Sequence, residues 1–135
     1  MRTLLLIPVV AAAIPASGCG HKGEIHDFGA ELRTAASDIS DGIDENPFAD
    51  GSVKAYKDVM TKHKSLFYEW TKLRAAKLSA AEKDELLTVV VDCHGEVRTA
   101  ANKHLARQHE DPVFGKSVGW IQKDFELHFD PSEIH

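Results

Sequence analysis

Apolar residues recur at intervals of three and four through four segments of this chain, a spacing that predicts amphipathic α-helices. The predicted helices cover about Glu24–Asp44, Ser52–Leu78, Ser79–His109 and Val113–Phe129. No alternating strand pattern competes with them. Because the connections are short, successive helices are expected to lie side by side and antiparallel. The pattern therefore predicts an all-α fold, a small antiparallel four-helix bundle in up-down-up-down order.

Local signals mark the ends of the predicted helices. Pro47 disfavours helix at the residue before it, which ends the first helix. Ser79 and Glu82 form the Ser-x-x-Glu pattern of a capping box, which predicts the start of the third helix. Asp-Pro pairs at 111–112 and 130–131 stop the third and fourth helices. The bundle is thus expected over residues 24–130, with 131–135 as a C-terminal tail.

The first two predicted helices carry opposite charge. From Glu24 to Asp50 the chain has eight acidic residues and one basic residue, Arg33. From Ser52 to Leu78 it has seven basic residues and two acidic residues. Each exposed ion pair is worth little, but together such pairs favour the correct helix pairing over alternatives. The charge pattern therefore predicts that these two helices lie side by side.

The N-terminal segment has the organisation of an export signal. Arg2 supplies a positive charge, and Leu4–Ile14 is almost wholly apolar. That run has the length of a signal-peptide core and is too short to span a membrane. No later stretch offers the roughly 18 apolar residues that a membrane span needs. Attachment to a membrane is therefore expected only through the N-terminus.

The end of this segment, Ala16-Ser17-Gly18-Cys19, resembles the bacterial lipobox, in which small residues lead to an obligatory cysteine. The resemblance implies a signal peptide over residues 1–18, cleavage before Cys19 and covalent lipid on that cysteine. Several acyl chains give stable anchoring. Residues 19–23 would form a short lipidated tether. Gly20 replaces the aspartate associated with inner-membrane retention, so the outer membrane is favoured if the source has two membranes.

A second processing route stays open. Ala16 and Gly18 also give the small-x-small form of an ordinary secretory cleavage site, and Ala11–Ala13 offers another. Cleavage there would yield a soluble periplasmic protein. In either case the sequence predicts export.

The net charge and the number of cysteines indicate which partners and crosslinks to expect. The chain has 135 residues, and its net charge of −5 becomes −6 when Arg2 is removed. A nucleic-acid-binding surface is usually basic, so no nucleic-acid partner is expected. If Cys19 carries lipid, Cys93 has no partner for a disulfide within the chain. The interpretation of Cys93 is a small buried hydrophobe.

Cys93 and His94 also suggest a cofactor. Val90-x-x-Cys93-His94 looks like the haem-attachment segment of helical c-type cytochromes with its first cysteine missing. Such a site normally needs both cysteines. His63 and His104 fall on apolar faces of different helices and could meet, and Met60 with His104 could ligate a haem. These residues make a metal- or haem-binding periplasmic bundle the alternative hypothesis, with His63, Cys93, His94 and His104 as candidates.

Catalytic motifs do not stand out. The chain has no Gly-x-Ser-x-Gly, no His-Glu-x-x-His and no glycine-rich phosphate loop. Tyr68 and Trp120 could anchor a partner protein if they point outward. The sequence therefore favours a non-enzymatic, lipid-anchored envelope protein that acts by protein contact at the membrane, with no cofactor beyond the lipid on Cys19.

Overall fold

The chain folds into α-helices throughout the part that the computed structural model describes, residues 20–46 and 48–135. The predicted signal peptide, Cys19 and Pro47 lie outside these residues. The helices are α1 (Lys22–Glu45), α2 (Ala49–Lys62), α3 (Ser65–Ala75), α4 (Ala80–Asn102), α5 (Leu105–Glu110) and α6 (Pro112–His128), followed by a 3₁₀ turn (Pro131–Glu133). The described residues contain no strand, which confirms the all-α prediction.

Two of the four predicted helices are each divided in two. The second breaks after Lys62, where the Leu66 amide bonds the His63 carbonyl, three residues back. The third breaks after Asn102, where the His104 amide bonds the Ala101 carbonyl. Three-residue bonds tighten the backbone and interrupt the four-residue ladder of an α-helix. The prediction of uninterrupted second and third helices was therefore wrong.

The helix boundaries agree with the local signals at several points. Ser79 accepts a hydrogen bond from the Glu82 amide, and the Glu82 carboxylate accepts one from the Ser79 amide, which confirms the capping box. Asp111 caps α6, with Pro112 in its first turn. The helix α1 begins at Lys22, two residues before the predicted start at Glu24. Only Gly20 and His21 precede α1 in the described residues.

Helices that are consecutive in the chain do not always pack against each other. The helix α1 packs against α2, α3 and α4, and α6 packs against α2, α4 and α5. Contacts between α3 and α4 are sparse although they are consecutive. The expectation that all successive helices are close neighbours was therefore wrong for this pair.

Ion pairs give the relative directions of the helices. Lys72 pairs with Glu24 at 3.6 Å and Lys62 pairs with Asp38 at 3.6 Å, so α1 runs antiparallel to α2 and α3. These contacts confirm the predicted pairing of acidic and basic helices. In contrast, Arg33 lies 3.4 Å from Asp92 in α4, whereas Asp44 further along α1 lies 2.7 Å from His104 just beyond α4. The helices α1 and α4 therefore run parallel.

Aromatic side chains fill one end of the core. Phe28 stacks on Trp70 with ring centroids 5.8 Å apart, and Phe129 lies 6.2 Å from Phe28 and 5.4 Å from Phe125. All four are buried. Complete burial of such a side chain contributes about 1.5–3 kcal/mol. This cluster ties the start of α1, the middle of α3 and the end of α6 together. No helix within residues 20–46 and 48–135 has the length and apolar character to cross a bilayer.

Candidate functional site

A groove between α2 and α6 brings together a tyrosine, a carboxylate, an imidazole, a tryptophan and two lysines. It has a volume of about 460 Å³. We call it the α2–α6 groove. Its lining residues come from α2, the start of α3 and the last turns of α6: Tyr56, Lys57, Met60, Thr61, Lys64, Phe67, Trp120, Asp124 and His128.

The floor of the groove is a hydrogen-bonded tyrosine and carboxylate. Tyr56 is 2% exposed, and its hydroxyl donates a 2.7 Å hydrogen bond to Asp124 Oδ2. Burial, followed by the bond to Asp124, raises the pKa of the Tyr56 hydroxyl well above its ordinary range. Tyr56 is therefore a neutral donor at any physiological pH. The His128 Nε2 atom lies 3.3 Å from the same carboxylate oxygen.

Trp120 forms one wall of the groove. Its ring meets Tyr56 edge-on, with centroids 5.6 Å apart and planes at 85°. The Trp120 residue is nevertheless 44% exposed. On the other wall, the Phe67 ring lies 4.9 Å from the His128 ring. An aromatic side chain that packs on the domain through one edge and is open to solvent is well suited to contact a partner.

A second hollow of about 320 Å³ continues the groove along α2 and α6. Lys57 and Trp120 line both hollows, and Val113 and Lys116 line the second. Val113 is 64% exposed, so its side chain extends the apolar surface toward the start of α6. The two hollows therefore form one continuous strip around Trp120.

Lysines surround this strip without ion-pair partners. Within residues 20–46 and 48–135, no salt bridge of 4.0 Å or less involves Lys57, Lys64 or Lys116. By comparison, Lys54 in the same helix lies 2.8 Å from Asp58. The edge of the groove thus carries three lysines that have no ion-pair partner among the described side chains.

His63 lies at the break between α2 and α3, away from the other candidate ligands. It is 7% exposed, with Nδ1 3.4 Å from Glu31 and Nε2 3.2 Å from Asp38. Ser65 also donates a 2.9 Å hydrogen bond to Glu31. Because the two carboxylates contact opposite sides of the ring, they do not converge on one point. This histidine joins α1 to the α2–α3 break.

The remaining predicted ligands have separate partners. His104 contacts Asp44 at 2.7 Å, and His94 Nε2 lies 2.8 Å from the Phe129 carbonyl oxygen. Burial lowers the pKa of His94, so its neutral form is favoured and Nε2–H donates to that carbonyl. The described part of the chain holds no group of three or more His, Cys, Asp or Glu side chains arranged for a metal. His63, Cys93, His94 and His104 are not brought together.

Cys93 is buried in α4. It is 1% exposed, and burial raises the pKa of its thiol to about 12. The nucleophilic form of cysteine is the thiolate, so Cys93 is a poor nucleophile in the folded protein. The interpretation of Cys93 as a small buried hydrophobe is confirmed.

The described residues begin at Gly20, and a hydrogen bond fixes the backbone at the next residue, His21. The His21 amide donates a hydrogen bond to the Glu82 carboxylate, which also bonds the Ser79 amide at 2.8 Å. Gly20 is therefore the one residue between Cys19 and a fixed contact. The residues just before α1 are thereby held against the start of α4.

Sequence patterns located part of this surface. Tyr68 and Trp120, which could contact a partner only if they point outward, are 66% and 44% exposed. The contacts among Tyr56, Asp124 and His128 were missed. Asp124 and His128 are four residues apart on one helix face, which was an available signal. Nothing in the sequence indicated that Tyr56 faces them.

No protein-family model, no curated protein and no solved structure matches this chain.

Proposed function

We propose that this chain is a lipid-anchored cell-envelope protein that acts by binding another envelope protein and catalyses no reaction. The observation that carries the proposal is Trp120, which is 44% exposed yet held edge-on against the buried Tyr56. Aromatic side chains of this kind supply much of the energy of protein interfaces. The lipid on Cys19 would keep this surface near the membrane.

The chemistry of the groove supports binding better than it supports catalysis. Asp124 and His128 provide a carboxylate and an imidazole, but a nucleophile also has to lie within reach of its base. Among the described residues, no hydroxyl or thiol hydrogen-bonds to a histidine. The Tyr56 hydroxyl is occupied by Asp124. These groups hold the two helices together and leave an aromatic, cationic surface.

The six helices also support a four-segment bundle as the framework of the domain. Joined across their short breaks, the segments are α1, α2–α3, α4–α5 and α6. Their directions alternate along the chain, because α1 opposes α2 and α3, and Arg98 in α4 pairs with Glu126 in α6 at 2.6 Å in an antiparallel sense. In this bundle the like-directed segments α1 and α4 lie side by side.

The short connection to Cys19 supports action close to the bilayer. An extended residue spans about 3.3 Å, so Gly20 gives His21 almost no freedom to move away from a lipidated Cys19. The domain would stand with the start of α1 toward the membrane. The outer membrane is the proposed location, because Gly20 follows the cysteine.

Native electrophoresis of membranes from cells that make the protein tests this function. We expect the wild-type chain to migrate from mild detergent in an assembly that contains a second polypeptide. We expect Cys19→Ala to leave the membrane fraction. Migration of the chain alone, in membranes where it is abundant, would contradict the proposal of protein contact.

A further inference from the structure

We infer that the α2–α6 groove takes an acidic, amphipathic segment of the partner protein, an inference that rests on the proposed function. The apolar side of this segment would lie on Trp120 and Val113. Its carboxylates would meet Lys57, Lys64 and Lys116. The argument comes from the shape of the strip, its charge and its position relative to the anchor.

The strip is long enough for several turns of a helix. It runs from Val53 in α2 to Lys64 in the break between α2 and α3. At a rise of about 1.5 Å per residue, this stretch is roughly 16 Å long, or about three helical turns. An amphipathic helix binds a groove through apolar anchors three and four residues apart.

The lysines around the strip favour an occupant that carries acidic side chains. Lys57, Lys64 and Lys116 make no salt bridge with any described residue, although neighbouring lysines in α2 do. The acidic group inside the groove, Asp124, is already bonded by Tyr56 and contacted by His128. The free charge at the edge is therefore positive. Complementary charge steers association and excludes partners of the wrong sign.

Lysines beside an exposed tryptophan could also bind anionic lipid headgroups. The distance of the groove from the anchored end of the domain distinguishes a lipid from a protein occupant. Glu24 lies beside Lys72, which places the end of α3 near the anchored end of the domain. Phe67, at the near end of the groove, stacks on Phe129 beside Phe28, so this end lies closer to the anchor. The part around Trp120 lies further out, because Ala55 in α2 is level with Gly42 near the far end of α1. That part lies on the half of the domain turned away from the bilayer, which favours a protein.

A displayed library of random 12-residue peptides, selected on the solubilised full-length protein, tests the inference. We expect enrichment of peptides that combine Asp or Glu with spaced apolar residues. Binding of a synthesised peptide is then measured by fluorescence anisotropy. Trp120→Ala and the double variant Lys57→Glu/Lys116→Glu should each weaken binding roughly tenfold or more, as expected for a central aromatic anchor and for charge reversal.

Matched controls lie outside the groove. Tyr68→Ala removes another exposed aromatic residue, and Lys77→Glu reverses another exposed lysine. Both should leave the peptide affinity within about twofold of wild type, since substitutions outside a hot spot cost little. Ser117→Arg, which fills the second hollow without removing a core contact, should weaken binding even if Trp120→Ala proves unstable.

The possible failures are distinguishable. Peptides that bind equally well to all groove variants would overturn the groove as the site while leaving protein binding in place. Absence of any enriched peptide would overturn the groove inference, while the proposed function would still stand or fall by the native electrophoresis. Phosphatidylglycerol vesicles that bind wild type but not the groove variants would identify lipid as the occupant. A dimer in sedimentation that Trp120→Ala dissociates would identify a second copy of this chain, and each of these two results would overturn the inference.

Discussion

The Tyr56 hydroxyl donates a 2.7 Å hydrogen bond to the Asp124 carboxylate and thereby joins α2 to the last turns of α6. Both residues belong to the α2–α6 groove, and Trp120 rests edge-on against the same tyrosine ring. The bond links the two helices across the floor of the groove. The shape of the proposed binding surface therefore depends on it.

Tyr56→Phe should destabilise the fold by about 1–2 kcal/mol, because a buried hydrogen bond to a charged group is lost while the ring is retained. Chemical denaturation of the two proteins measures the difference. Tyr68→Phe is the matched control, since Tyr68 is 66% exposed and makes no hydrogen bond through its hydroxyl to a described residue. Equal stability of Tyr56→Phe and wild type would show that the Asp124 bond does not hold the helices together.

The sequence contained the information for some of these features and not for others. The capping box at Ser79 and Glu82 was predictable because both partners lie within one helical turn. The breaks at His63 and His104 were not, because each histidine contacts a carboxylate in α1 that is far away in the chain. The sparse contact between α3 and α4 was missed for a related reason. Short connections limit the distance between helix ends but do not determine which faces pack together.

Stability should depend on pH through His94. Burial lowers the pKa of this imidazole in the folded protein, so below about pH 6.5 the unfolded chain binds more protons than the folded one. The contribution of neutral His94 is complete above this range and is lost as the pH falls through the folded pKa. His94→Gln retains a donor for the Phe129 carbonyl but cannot titrate, so its stability should fall less between pH 7 and pH 5.

Chemical denaturation at several pH values measures how the free energy of unfolding depends on pH. His26→Gln is the control, because the side chain of His26 is 78% exposed and its removal should leave the wild-type slope unchanged. A slope for His94→Gln equal to that of wild type would contradict the assignment of the pH dependence to His94.

The thiol of Cys93 should be unreactive in the native protein. Because burial raises its pKa to about 12, almost no thiolate is present at neutral pH, and the atom is also shielded from reagents. In the lipidated protein, Cys93 would be the remaining free thiol. We expect a thiol reagent such as iodoacetamide to label it only after denaturant is added. Rapid labelling under native conditions would place Cys93 at a mobile or accessible site.

Two helical glycines should respond in opposite ways to alanine. A methyl group at Gly95 would meet no atom within 4 Å, whereas at Gly29 in α1 it would approach Val89 in α4 to 3.1 Å. In a helix interior, alanine is favoured over glycine by up to about 1 kcal/mol. Gly95→Ala should therefore raise the melting temperature by a few degrees. At Gly29 overpacking, which typically costs about 1–3 kcal/mol, should cancel or reverse that gain.

Thermal melts of the two variants provide the comparison, with wild type as reference. The expected order of melting temperature is Gly95→Ala above wild type, and wild type level with or above Gly29→Ala. If Gly29→Ala were the more stable of the two variants, α1 and α4 could not pack as closely as the Gly29 and Val89 contact requires.

The proposed function depends first on the anchor at Cys19. The most direct measurement is the intact mass of the protein extracted from the membrane fraction, compared with Cys19→Ala. We predict a chain that begins at Cys19 and carries the added mass of a diacylglyceryl group and an amide-linked acyl chain, while Cys19→Ala yields no such species. A mature protein with an unmodified Cys19, or one cleaved elsewhere, would contradict the lipid anchor and with it the orientation of the groove away from the membrane.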